Sequence, residues 1–197
     1  MGIVSALIAA CSYPRPADVV ASDGASGHVD GSHSDAGAPF DDAGDCPLAQ
    51  EYPAQTSSGS DQFATTTGSG TQQQLQYQAV VSSTPEVALI IVLRAGTTQF
   101  AAGIAPGTYN LATEMNGDPT NCGACVYLAD QIDGSGVVHD AYQGQTGMLD
   151  LVSVTGAWQG TLSTTIFQHL GSDGVSLDLN CSTILEGTTA MNVTVTD

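Results

Sequence analysis

The sequence contains no lysine, and its only strongly basic side chains are those of Arg15 and Arg94. Against these two stand 20 aspartate and glutamate residues, which give a formal net charge of -18 at pH 7. Affinity for nucleic acids rests on basic side chains that displace counterions from phosphates. The composition therefore excludes a nucleic-acid partner, and it favours solubility as the role of the acidic residues, with cation binding as the alternative.

Long hydrophobic runs are also missing, because no apolar stretch reaches the roughly 20 residues of a membrane-spanning helix. The apolar stretch at residues 3–10 is short and ends in two alanines, directly before Cys11. This arrangement resembles the lipobox of bacterial lipoproteins, in which a short apolar core and small residues precede an acylated cysteine. No lysine or arginine precedes Cys11, so we expect the true start of translation to lie upstream of Met1.

The resemblance implies a lipid anchor and a location. The mature chain would begin at Cys11 with a lipid on its sulfur, and residues 1–10 would be the remnant of a signal peptide. The residue after the cysteine is Ser12 rather than aspartate. In this respect the chain is similar to lipoproteins that are sorted to the outer membrane. We therefore expect a protein held at the outer membrane or cell surface by its lipid. The alternative is an ordinary apolar N-terminus with Cys11 as a pairing thiol.

Residues 11–45 contain almost no large apolar side chains and repeat short segments such as Asp23-Gly24-Ala25 and Asp35-Ala36-Gly37. Low hydrophobicity with charge of one sign cannot bury enough surface to offset the entropy of ordering. We therefore predict a disordered, self-repelling linker that carries the anchor at Cys11. Calcium binding by its aspartates is the alternative, but their spacing does not place a ligand at every second residue as an EF-hand loop does.

From Cys46 onward the pattern of apolar residues becomes that of β-strands. Residues 74–82 alternate apolar side chains with glutamines, which is typical of a half-buried strand, and residues 87–93 form a nearly continuous apolar run, which indicates a strand buried on both faces. Further strands are predicted over residues 108–113, 125–129, 136–142, 148–155, 161–170, 175–181 and 190–196. The sequence therefore predicts one all-β domain over residues 46–197, an antiparallel β-sandwich of jelly-roll or immunoglobulin-like type.

Aromatic residues are few, and Trp158 is the only tryptophan. A single tryptophan in a β-domain more often lies in the core than on a carbohydrate-binding surface. We therefore predict that Trp158, Tyr127, Tyr142 and Phe167 are core residues.

Apart from Cys11, the chain has an even number of cysteines, namely Cys46, Cys122, Cys125 and Cys181. In an exported chain this number predicts two disulfides, and four cysteines allow three pairings. We hypothesise that one thiol of the Cys122/Cys125 pair bridges to Cys181 and the other to Cys46. A zinc site made by the same four residues is the alternative, which an oxidising compartment disfavours. Redox chemistry at the Cys-x-x-Cys motif would require a helix N-terminus, where we predict a strand.

Three segments of the domain resemble a known group of proteins. Residues 106–111 (Pro-Gly-Thr-Tyr-Asn-Leu), 121–128 (Asn-Cys-Gly-Ala-Cys-Val-Tyr-Leu) and 160–163 (Gly-Thr-Leu-Ser), with the late Cys181, are similar to uncharacterised exported β-domains of high-GC Gram-negative bacteria. Many members of this group are lipoproteins. The resemblance implies an all-β architecture and carries no activity.

No arrangement of residues in the sequence predicts catalysis. Ser135 lacks the Gly-x-Ser-x-Gly elbow and is better explained as part of a turn. His139 and Asp140 are adjacent, so on a strand they would point to opposite faces, and His169 is interpreted as an exposed or hydrogen-bonded strand residue. We therefore predict a non-catalytic structural or binding module without cofactor or metal, whose partner is an unidentified protein or glycan. The alternatives are an extracytoplasmic glycan hydrolase, a thiol oxidoreductase and a calcium-dependent binding module.

Overall fold

The structure, a computed structural model, describes residues 46, 48, 51–56, 62–83, 86–97, 99–114, 122–130, 140–171 and 177–196. All of them belong to a compact unit that begins at Cys46. The predicted anchor at Cys11, the linker over residues 12–45 and the first part of the predicted strand 136–142 lie outside the described residues.

Strands make up most of the described domain. They are β1 (Glu51–Tyr52), β2 (Gln55–Thr56), β3 (Gln62–Thr67), β4 (Gln74–Ser83), β5 (Glu86–Arg94), β6 (Gly107–Asn110), β7 (Ala124–Asp130), β8 (Asp140–Gly144), β9 (Met148–Ser153), β10 (Ala157–Leu162), β11 (Thr165–Leu170), β12 (Leu177–Leu185) and β13 (Thr188–Thr196). The helical segments of this part of the chain are a 3-10 turn at Gly70–Gln72 and one helical turn, α1 (Leu111–Glu114). The predicted all-β fold class is therefore confirmed.

The strands form one sheet in the order β1-β12-β11-β8-β7-β5-β4-β3-β13-β10-β9-β6, with β2 also paired to β13. Most neighbours are antiparallel, as predicted. The exceptions are β1 beside β12, and β2 and β3 beside β13, which run parallel. These N-terminal strands meet partners that follow more than a hundred residues later in the chain, so a tight hairpin does not dictate their direction.

The sheet curls until its two halves face each other across one core. Tyr77 of β4 stacks on Trp158 of β10 with ring centroids 5.3 Å apart. In a flat sheet these two strands, three positions apart in the strand order, would be separated by about 14 Å. The curl therefore produces the predicted sandwich, in which strand β13 belongs to both layers.

The core contains the residues that the hydrophobic pattern predicted. Trp158, Phe167 and Tyr142 have no exposed surface, and Tyr127 is 5% exposed. Strand β7 is buried along its whole length, and β5 is buried at six of its nine positions. Because both faces of these central strands are covered, their sequences are continuously apolar rather than alternating.

Two predicted strands differ from those in the structure. The strand predicted over residues 108–113 stops at Asn110, whose side-chain Oδ1 accepts a hydrogen bond from the backbone N–H of Ala112 at 3.1 Å and thereby caps the turn α1. The strand predicted over residues 161–170 is two strands, β10 and β11, because the chain crosses at residues 163–164 from one layer to the other. Gly147 lies beside this crossing with φ +114°, and a Cβ there would come within 2.5 Å of the Thr165 hydroxyl.

Candidate functional site

Two disulfides join the four cysteines of the domain in a pairing that differs from the hypothesis. Cys46 bonds to Cys181 over a sequence separation of 135, and Cys122 bonds to Cys125 over a separation of 3. The hypothesis that Cys122 and Cys125 bridge to Cys46 and Cys181 is therefore wrong, and the four residues do not form one zinc site. The cause is local, because the chain turns at Gly123 and brings the Cα atoms of the motif to 5.5 Å.

Cys181 lies at a bulge in strand β12. His169 of β11 pairs with Asp178, although the residue before His169 pairs with Ser182, so residues 179–181 bulge from β12. Bulges of this kind bend a strand and redirect its side chains. Here a ring nitrogen of His169, a carboxylate oxygen of Asp178 and the Sγ atom of Cys181 all lie within 4.8 Å of one another.

His169 belongs to a larger polar group, which we call the histidine cluster. Its members are Asp130 on β7, Asp140 and Tyr142 on β8, His169 on β11 and Asp178 on β12. Asp130 faces Asp140, Tyr142 faces His169, and His169 faces Asp178 in the strand register. Because cross-strand partners project from the same side of a sheet, the register places all five side chains on one face.

His169 and Asp140 are in hydrogen-bond contact within the histidine cluster. The Nε2 atom of His169 lies 3.1 Å from Oδ1 of Asp140, and the two side chains are 20% and 34% exposed. The imidazole also packs against the ring of Tyr142 at a centroid distance of 4.9 Å. His169 is thus a hydrogen-bonded strand residue, as predicted, and its carboxylate partner is a residue 29 positions away.

Tyr142 is a fully buried member of the cluster. Its hydroxyl accepts a hydrogen bond from the backbone N–H of Leu48 at 3.4 Å. Burial raises the pKa of Tyr142 to about 12. The hydrogen bond from Leu48 opposes this rise, and the charges of Asp140 and Asp130 add to it. The phenol therefore remains protonated and neutral throughout the physiological pH range.

The other disulfide lies in a contrasting group, the arginine cluster of Arg94, Cys122, Cys125 and Tyr127. Nη1 of Arg94 lies 3.0 Å from Sγ of Cys125 and 3.6 Å from Sγ of Cys122. The hydroxyl of Tyr127 lies 3.6 Å from the latter sulfur. A guanidinium at this distance stabilises a thiolate more than a neutral sulfur, so Arg94 favours the reduced form of this pair.

Access to the arginine cluster is restricted. Cys122 is 2% exposed and Cys125 has no exposed surface. The motif leads into strand β7, as the sequence predicted, and not into a helix. A Cβ at Gly123 would come within 2.7 Å of the Thr97 hydroxyl, so the turn after β5 packs directly on the motif. These contacts favour a structural role for the pair.

A shallow groove crosses the exposed side of strands β9, β10 and β13. It encloses about 330 Å³ and is lined by Val152, Gln159, Gly160, Thr161, Met191 and Asn192. Val152 is 64% exposed, and Nε2 of Gln159 donates to Oδ1 of Asn192 at 3.4 Å. The groove therefore offers apolar surface beside neutral amides and a hydroxyl, with no charged side chain in its lining.

Sequence reasoning identified only part of these sites. Cys11, Ser135 and His139 lie outside the described residues. The pairing of His169 with Asp140 and the contact of Arg94 with the Cys-x-x-Cys motif were not predicted. The sequence offered one indication that Arg94 has a specific role. It is one of only two arginines in an acidic chain, and it directly follows the apolar run at residues 87–93.

Comparison of the chain with protein-family models, with curated proteins and with solved structures finds no match. Among the residues that the structure describes, no helix is long and apolar enough to cross a membrane.

Proposed function

We propose that this chain is an outer-membrane lipoprotein whose disulfide-linked β-sandwich is a non-catalytic binding module. The observation that carries the proposal is the pairing of all four cysteines of the domain in two disulfides. Disulfides persist in oxidising compartments outside the cytoplasm. The pairing leaves Cys11 as the odd thiol, which fits its role as the acylated residue of a lipobox.

Mass spectrometry of the protein from its native membrane fraction tests this proposal. We expect a mature chain that begins at Cys11 with acyl groups on that residue, and two disulfides in the domain. The Cys11→Ala variant should lose the membrane association. A Ser12→Asp variant is the matched control, because it keeps the acylated cysteine and should change only the sorting between the two membranes. An unmodified Cys11 in the membrane fraction would contradict the anchor.

The groove on β9, β10 and β13 supports a neutral glycan as the ligand of the module. Amide and hydroxyl side chains exchange hydrogen bonds with sugar hydroxyls, and Val152 offers apolar surface for the C–H face of a sugar ring. Small-molecule sites combine apolar surface with a few placed polar groups in this way. The uncharged lining favours neutral sugars over acidic ones, which the net charge of -18 would repel.

Binding to an array of uncharged glycans tests the choice of ligand. We expect weak binding that the double variant Gln159→Ala/Asn192→Ala abolishes. The control is Gln78→Ala on β4, which removes an amide from the other layer and should leave binding unchanged. Binding that survives loss of both groove amides, or capture of a protein instead of a glycan, would overturn the assignment.

The thiol oxidoreductase alternative is supported by one contact, the approach of Arg94 to the Cys122–Cys125 sulfurs. The burial of both cysteines opposes it, because a substrate thiol must reach a sulfur atom to exchange with it. We therefore assign the arginine cluster to the stability of the fold.

A further inference from the structure

The Cys46–Cys181 disulfide lies beside two side chains that are themselves metal ligands. His169, Asp178 and Cys181 bring a nitrogen, an oxygen and a sulfur within 4.8 Å of one another. Cys46 contributes a second sulfur, because it is bonded to Cys181. Four donor residues thus meet at one bulge of β12, and two of them have their sulfurs engaged in a disulfide.

We propose that this bulge is a redox-gated zinc site, formed when the Cys46–Cys181 disulfide is reduced. An external dithiol supplies two electrons and two protons to the Cys46–Cys181 disulfide. The S–S bond of the protein breaks and leaves two thiols, and the external dithiol is oxidised to its own disulfide. Zn²⁺ then binds the two sulfurs, one nitrogen of His169 and one oxygen of Asp178, and the two cysteine thiols release two protons. In the oxidised protein the sulfurs are engaged with each other, and the site is closed.

The backbone geometry suits both states. The Cα atoms of Cys46 and Cys181 are 5.4 Å apart. A tetrahedral zinc with sulfur ligands at about 2.3 Å needs the two sulfur atoms roughly 3.8 Å apart. Rotation of the two side chains provides this increase, so the strands do not have to separate. The bulge keeps His169 and Asp178 in place, because both are paired across β11 and β12 in the oxidised structure.

The donor set selects the metal. Two thiolates, an imidazole and a carboxylate that can surround one ion tetrahedrally are the ligands that zinc prefers. Calcium and magnesium prefer oxygen ligands alone. Asp140 acts on this site as a positioning residue through its 3.1 Å contact with the Nε2 atom of His169. A carboxylate that holds a histidine ligand in orientation is a common partner of zinc sites.

The test is titration of the oxidised and the phosphine-reduced full chain with Zn²⁺ and with Co²⁺ as a spectroscopic substitute. The Cys11→Ala variant of the full chain serves as the second sample, because it removes the one thiol that lies outside the two disulfides. We expect the reduced protein to bind one Co²⁺, with the absorption bands of a tetrahedral site and thiolate-to-metal charge transfer, and the oxidised protein to show neither. Zinc should displace the cobalt.

Variants separate the proposed ligands from the other cysteine pair. His169→Gln and Asp178→Asn should each weaken binding at least tenfold, and Asp140→Asn should weaken it by about tenfold while the spectrum is kept. The control is Cys122→Ser/Cys125→Ser, which removes the other thiols and should leave the cobalt spectrum unchanged. Far-ultraviolet circular dichroism of each oxidised variant verifies its fold.

Three results would overturn the proposal. They are a reduced protein that binds no zinc, a metal whose spectrum follows Cys122 and Cys125, and binding that is insensitive to His169 and Asp178. Should reduction unfold the domain, we expect zinc to restore its native circular dichroism, and failure to do so would count equally against the site. None of these outcomes depends on the lipid anchor or on the glycan groove.

Discussion

The two disulfides of this domain differ in the length of chain that they close and in the charges around them. Cys46–Cys181 spans 135 residues and lies beside His169 and Asp178 of the histidine cluster, whereas Cys122–Cys125 spans 3 residues and is contacted by Arg94. A cross-link that closes a long loop removes more entropy from the unfolded chain. The long-range disulfide is therefore the principal covalent constraint on the fold.

The charges around the two bonds act in opposite directions. A carboxylate near a thiolate raises its energy, so Asp178, which lies beside Cys181, favours the oxidised form of the Cys46–Cys181 pair. The guanidinium of Arg94 favours the thiolate form of the Cys122–Cys125 pair. The burial of Cys122 and Cys125 therefore offsets an electrostatic environment that would otherwise make their bond easier to reduce.

The largest expected effect concerns the loop closed by each disulfide. Cys46→Ala/Cys181→Ala should lower the free energy of unfolding by about 5 kcal/mol, and Cys122→Ala/Cys125→Ala should lower it by about 2 kcal/mol, from loop-closure entropy. Both double variants remove two sulfur atoms, so each is the packing control of the other. Urea unfolding without reductant measures the difference. Equal losses would show that packing around the sulfurs, and not loop entropy, separates the two bonds.

The buried phenol of the histidine cluster makes the stability depend on alkaline pH. The pKa of Tyr142 is about 12 in the folded protein against 10.0 for an ordinary tyrosine, so the folded state holds its proton where the unfolded state loses it. The stabilisation is complete below pH 10 and is lost as the pH rises toward 12, and it amounts to roughly 2–3 kcal/mol. Tyr142→Phe should remove this part of the pH dependence.

Unfolding free energies of both proteins between pH 8 and pH 12 measure this effect. The comparison uses the change with pH rather than the absolute stability, because Tyr142→Phe also removes the acceptor of the Leu48 N–H. Parallel curves for wild type and variant would contradict the assignment of the phenol as a buried, neutral group.

The positions of the strands could be predicted from the sequence more completely than the contacts between side chains on different strands. Strands β4 and β5 were predicted within one residue at each end, because alternation and continuous apolar runs are local consequences of burial on one face or two. Strands β1, β2 and β3 were missed. The first two are only two residues long, and β3 (Gln-Phe-Ala-Thr-Thr-Thr) carries too few apolar residues for a clear pattern.

The candidate sites were harder to predict because they depend on register. Asp140 and His169 are 29 residues apart and meet only because β8 and β11 are neighbours in the sheet. The bulge in β12 that brings Cys181 beside His169 has no signature in the local sequence. The choice among the three cysteine pairings likewise required the folded positions of Cys46 and Cys181, since the sequence does not show that the N-terminal segment reaches β12.

A smaller effect is expected at the arginine cluster. Arg94→Met removes the charge 3.0 Å from Cys125 Sγ and should make the Cys122–Cys125 bond harder to reduce. The loss of one charge-assisted hydrogen bond to a thiolate is about 1–2 kcal/mol, which corresponds to about tenfold in the thiol–disulfide equilibrium. Arg94→Lys is the matched control, because it keeps the charge. Alkylation of free thiols in defined glutathione buffers, followed by mass spectrometry, measures the thiol–disulfide equilibrium constant of each bond separately. Identical constants for Arg94→Met and wild type would refute the electrostatic role of Arg94.

The smallest effect concerns the ion pair of the histidine cluster. Asp140 and His169 are both partly exposed, so solvent screens their attraction, and such pairs contribute roughly 0.2–1 kcal/mol. A double-mutant cycle of Asp140→Asn and His169→Gln at pH 6 should therefore give a coupling free energy below about 1 kcal/mol. A value above about 2 kcal/mol would instead mean that the cluster is a desolvated network that stabilises the fold. If the coupling is that small, the stability of the fold does not explain why His169 and Asp178 lie beside Cys181, whereas the proposed metal site does.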